Sequence, residues 1–120
     1  MNNINKGKNM KNKVNARSYT LETDNGGWLA QVVITDDGMF SAISDYGNFG
    51  FAWRAYGHNF KEFLISIKNP YFADKMSTGM GYVARGKGID KACEKFAEKI
   101  LPPLQKILKE EIENGIAWTD

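Results

Sequence analysis

The chain has one histidine, His58, and one cysteine, Cys93, and a thiolate activated by an imidazole is the nucleophilic chemistry such a pair would offer. Cys93 falls on the apolar stripe Ile89, Ala92, Cys93, Phe96 and Ile100, where burial raises a thiol's pKa and leaves it inert, so no catalytic residue is assigned. Metal binding fares no better. Neither residue has a second soft ligand at a paired spacing, and Asp36-Asp37-Gly38 reads first as a hairpin turn and only then as a hard-cation site. No metal and no cofactor is expected. Arg85-Gly-Lys-Gly88 lies directly before a helical stripe, so Arg85 and Lys87 with freed backbone amides could hold an anion or a nucleic-acid phosphate. The full phosphate-loop pattern is missing, no Ser or Thr follows Lys87, and Asp90 can satisfy the helix terminus; a basic loop without a dedicated ligand is favoured.

The segment from Asp45 to Lys68 carries two Tyr, four Phe, one Trp and three Gly in 24 residues. Phe49, Phe51 and Trp53 alternate with Gly50, Ala52 and Arg54, which puts three rings on one face of a strand. Facing solvent, those rings would form a stacking platform for bases, with Arg54, Lys61 and Lys68 near the phosphates. Core packing is the favoured reading, because strand aromatics opposite an apolar helix dominate domain cores. Tyr46, Arg54, Tyr56 and His58 are the members expected to stay exposed. Asp24, Asp36, Asp37 and Asp45 occupy turns; presented together at sheet ends, they could mimic phosphates or meet a basic partner, while solvated turns account for them more simply. The candidate partner-binding set is therefore Asp24, Asp36, Asp37, Asp45, Tyr46, Arg54 and Tyr56.

The elements that must position these residues follow from periodicity. Tyr19 and Leu21 belong to a first strand, Trp28 to Ile34 to a second, Met39 to Ser44 to a third and Phe49 to Ala55 to a fourth, separated by turn signals at 24–27, 36–38 and 45–48. Connections this short predict an α+β fold built on an antiparallel four-stranded meander, covered on one face by helices. Phe60, Phe63, Leu64 and Ile67 form a helical stripe from Asn59, a natural cap, to Lys68; Pro70 starts a second helix through Phe72 and Met76. Residues 78–88, with four glycines, read as an extended loop. A stripe over 89–113 follows, with Pro102-Pro103 expected to divide it into two helices or kink it sharply. Ile116, Ala117 and Trp118 then form a tail that docks on the core or offers an aromatic to a partner.

A single domain over residues 16–120 is expected, preceded by a basic tail, 1–15, too polar to offset its ordering entropy. That tail has four lysines and no acid; residues 16–45 sum to −4, residues 54–91 to +4 and residues 92–120 to −2. The net charge of +2 thus describes a bipolar surface rather than a uniformly basic nucleic-acid binder. One cysteine cannot form an intramolecular disulfide, and no apolar run approaches the ~18 residues of a membrane span, which points to a soluble cytoplasmic protein with no membrane partner.

Ser44-Asp-Tyr-Gly-Asn-Phe-Gly-Phe-Ala-Trp53, Gly57, Phe60-Lys-Glu-Phe-Leu64 and Tyr71-Phe-Ala-Asp-Lys-Met76 resemble small uncharacterised proteins carried by bacteriophages and other mobile elements. The resemblance covers residues 44–76. Its size and setting are similar to those of inhibitors of host defence, including anti-CRISPR proteins. It implies a non-enzymatic accessory protein that binds and inhibits a host defence complex such as a CRISPR-Cas nuclease. The other reading is a direct nucleic-acid binder that uses the tail lysines, Arg54, Arg85 and Lys87.

Overall fold

A computed structural model describes residues 13–80 and 87–118. Strands β1 (Ala16–Glu22), β2 (Trp28–Thr35), β3 (Met39–Ser44) and β4 (Gly47–Ala52) pair in sequence order, each antiparallel to the next. Helices α1 (Phe60–Ser66), α2 (Asn69–Gly79) and α3 (Lys87–Glu113) follow. The expected α+β meander is the observed one.

Alternation decides which face of the sheet is covered. Tyr19, Leu21, Ala30, Val32, Ile34, Phe40, Ala42 and Phe49 point to one side and are buried against Phe72, Met76, Phe96, Ile100 and Leu104 of the helices. Phe49 stacks on Phe96 with ring centroids 4.2 Å apart, and Phe40 meets Phe72 edge-on at 5.2 Å. Phe51 and Trp53 lie on this covered side too, so the rings are core and not a platform for bases. No helix among the described residues covers the other face of the sheet.

Several boundaries differ from the periodicity. β4 begins at Gly47 because Asp45-Tyr46 alone closes the hairpin; Ser44 pairs with Gly47, whose φ of 125° suits glycine. It ends at Ala52 because the Trp53 amide donates to the Gly38 carbonyl of the neighbouring turn at 2.8 Å. Helix α2 continues through Gly79 into the segment expected to be loop, and a Cβ there would collide with the Gly50 carbonyl; absence of a side chain lets the helix cross β4 closely. Asn59 caps α1 as expected, accepting from the Glu62 amide.

The proline pair does not divide the last stripe. Helix α3 runs through Pro102 and Pro103 as one 27-residue element. Two intrahelical hydrogen bonds are lost, but Ile100, Leu101 and Leu104 on either side are fully buried, and this apolar burial outweighs the pre-proline preference at Leu101. The Gln105 amide one turn on reaches back to the carbonyls of Leu64, Ile65 and Ile67 at 2.8–3.2 Å, satisfying the end of α1.

Candidate functional site

The meander sends its turns to opposite ends of the sheet, and this sorts the candidate partner residues. Asp24, Asp45 and Tyr46 lie at the end formed by the β1–β2 and β3–β4 turns. Asp36, Asp37, Arg54 and Tyr56 lie at the other, where β2 turns into β3 and β4 leaves the sheet. At ~3.3 Å per residue, six to eight residues of strand separate the two groups by about 20 Å, so no single small ligand bridges them.

The second group surrounds a cleft of about 480 Å³ lined by Val14, Thr35, Asp37, Met39, Ala52, Trp53 and Arg54. Its walls are fixed by a dense set of hydrogen bonds. The Thr35 hydroxyl donates to the Asp37 carboxylate and accepts from the Met39 amide at 3.0 Å. Asp36 accepts from the backbone and side-chain nitrogens of Asn15 at 3.1 and 2.9 Å, and its own amide donates back to the Asn15 carbonyl. The Tyr56 hydroxyl donates to the Asp36 carbonyl at 2.8 Å. Gly38, with φ of 103°, is packed so closely against the Trp53 carbonyl and the Tyr56 ring that only glycine fits.

Two consequences correct the sequence reading. Tyr56 and Tyr46 are half-buried against the core rather than exposed; Arg54 and His58 are exposed as expected. Asn15, assigned to the tail, is held to the turn by Asp36. The rim of the cleft then carries one carboxylate, Asp37, and one guanidinium, Arg54, around the apolar side chains of Val14 and Met39. Mixed charge around an apolar floor suits a protein surface better than a polyanion.

The other sequence candidates are placed differently. Arg85 lies outside the described residues, and Lys87 opens α3. Cys93 is buried, 3.9 Å from the Met80 sulfur, as its place on the stripe implies. Among the described residues no group of three His, Cys, Asp or Glu is arranged to hold a metal ion. No helix among them is long and apolar enough to cross a membrane. Trp118 is docked: its ring lies 5.1 Å from the Lys61 ammonium.

Periodicity missed a polar cluster beneath that ring. Lys61, with a side chain only 2% exposed, donates to Glu111 at 3.1 Å and to the Ile116 carbonyl at 3.2 Å. Glu111 also accepts from the Tyr19 hydroxyl at 2.8 Å and from Arg17 at 3.2 Å. Burial alone would raise the Glu111 pKa, but hydrogen bonds from Tyr19 and Lys61 and the charges of Lys61 and Arg17 hold it below the ordinary value. Burial, then the hydrogen bond to Glu111 and its charge, push the Tyr19 phenol well above its ordinary value. Every buried side-chain donor and acceptor among the described residues has a partner, so the cluster is a clasp joining β1, α1, α3 and the segment 116–118. An apolar stripe with Lys61 beside it gives no hint that the lysine is internal; its partner lies 50 positions away.

A four-stranded antiparallel meander covered on one face by helices, with a mixed-charge cleft at one sheet end, defines a small α+β protein. Residues 10–95, more than half of the chain, match a family described as a phage family, and the chain belongs to that family. No curated protein and no solved structure matches it.

Proposed function

We propose that this phage accessory protein is non-enzymatic and acts by binding a host defence complex in the bacterial cytoplasm and blocking it, with a CRISPR-Cas nuclease as the first class of target. The observation that carries the reading is the sheet-end cleft. Two of the seven candidate partner residues, Asp37 and Arg54, line it, and two more, Asp36 and Tyr56, brace the adjoining turn through hydrogen bonds. A preorganised surface of this kind loses little conformational entropy on association. Asp37 and Arg54 give it a charge pattern that discriminates among protein partners.

Calorimetric titration of purified CRISPR-Cas effector complexes with the protein tests this directly. Stoichiometric binding by the native chain, weakened tenfold or more by Asp37→Lys with Arg54→Glu, is the expected result. Binding to bare DNA or RNA that weakens steeply with salt and survives those two substitutions would sink it in favour of the nucleic-acid reading.

A further inference from the structure

The uncovered face of the sheet has a composition unlike the rest of the surface. Its outward positions between the two ends are Ser18 and Thr20 on β1, Gln31 and Val33 on β2, Met39, Ser41 and Ile43 on β3, and Asn48, Gly50 and Ala52 on β4, none of them charged; the exposed Glu22 closes β1 at its end. A quarter of the whole chain is charged, so a neutral field of this extent is set apart from its surroundings. Ile43 is 60% exposed and Met39 41% exposed, each standing among Ser41, Gly50 and Ala52, which leave room for an opposing side chain.

Charge resumes at both ends of the sheet, acidic at one and mixed at the other. Glu22, Asp24 and Asp45 stand at one end; Lys13 and Arg54 stand at the other beside Asp36 and Asp37. A two-fold axis in the plane of the face and parallel to the strands would bring Asp24 of one copy over Asp45 of the other. An axis perpendicular to the strands reverses their direction, keeps each strand over itself, and brings Asp45 over Arg54 and Asp24 over Lys13. Only the second arrangement sets unlike charges, Asp45 on Arg54 and Asp24 on Lys13, against each other toward the edges of the sheet, with Asp36 and Asp37 of the turn between them held by Asn15 and Thr35, and an isologous dimer requires such self-complementarity.

We infer that the protein associates with a second copy of itself through the open sheet face, strands antiparallel across the interface and Asp45 of each copy facing Arg54 of the other. Four strands at ~4.8 Å spacing and about six residues long project about 400 Å². Side-chain relief brings each copy's contribution toward, but not beyond, the ~800 Å² of a standard interface, the size of a dimer that exchanges with single copies rather than of an obligate one. The inference is independent of the host target. Met39 and Ala52 also line the sheet-end cleft, so a second copy and a partner seated there compete.

Sedimentation velocity of the full chain, from about 1 to 200 μM, tests it. The native protein should shift with concentration from the mass of one copy to that of two. Ile43→Lys and, separately, Ser41→Lys should raise the dissociation constant at least tenfold, with circular dichroism and melting unchanged because both sites are on the open face. Asp45→Arg or Arg54→Asp alone should weaken association, and the double variant should restore it. A single-copy mass throughout the range, a dimer indifferent to Ile43→Lys and Ser41→Lys, or a double variant no better than the singles would overturn it.

Discussion

Glu111 accepts from Tyr19, Arg17 and Lys61 and so ties β1 and α1 to α3. Its removal leaves the Lys61 ammonium buried without its counter-charge, and losses of that kind run to several kcal/mol. Glu111→Ala should therefore cost about 3 kcal/mol in urea unfolding. Lys61→Met, which leaves Glu111 with Tyr19 and Arg17, should cost less. The sign of the pH dependence follows from the depressed carboxyl. Its folded-state pKa lies below the unfolded value of ~4.3, so its stabilisation is present above that value and is lost as pH falls through the folded one. Melting temperatures of the native protein and Glu111→Gln should differ most near neutrality, and the gap should close as pH falls below the ordinary carboxylate range and through the lowered folded-state pKa. A constant gap across that range would contradict the assignment of Glu111 as the clasp's charged member.

At the scale of elements, two departures from ordinary helix chemistry carry opposite expectations. Gly79 lets α2 pass over the Gly50 carbonyl, so Gly79→Ala forces the helix off β4 despite alanine's higher helix propensity, at a cost of about 1–3 kcal/mol in thermal or urea unfolding. Pro102 interrupts the hydrogen bonds of α3 on an exposed position, so Pro102→Ala should raise stability by about 1–2 kcal/mol, the regained bond exceeding the added entropy of the unfolded chain. The strands were legible in the sequence because their inward and outward residues alternate strictly, from Tyr19 and Leu21 through Phe40 and Ala42 to Phe49. Their turns were legible because Asp36-Asp37-Gly38 and Asp45-Tyr46-Gly47 meet backbone needs that few other residues meet. For α3 the proline pair left two helices and one kinked helix both open, and the choice rested on the burial of Leu101 and Leu104 against partners distant in sequence. The site divides the same way. Asp37 and Arg54 were readable as candidates by type, but their separation from Asp24 and Asp45 is set by strand direction, and the clasp joins residues up to 94 positions apart.

For the whole molecule, one face of the sheet is committed to the helices, its opposite face is uncharged, and its two ends carry different charge patterns. This division gives the described residues three distinct surfaces: a core side closed by the clasp, an open side proposed for a copy of itself, and a cleft end proposed for a host protein. Membership of a phage family makes host machinery the natural place to look for that protein. The central claim, that the protein works by occupying a defence complex through its sheet-end cleft, is tested most directly by plating a CRISPR-targeted phage on an immune host that expresses the chain. The account predicts that the native protein restores plaques and that Asp37→Lys with Arg54→Glu, folded to the same melting temperature, does not; immunity undiminished by the native protein, or equal protection by the double variant, would contradict it.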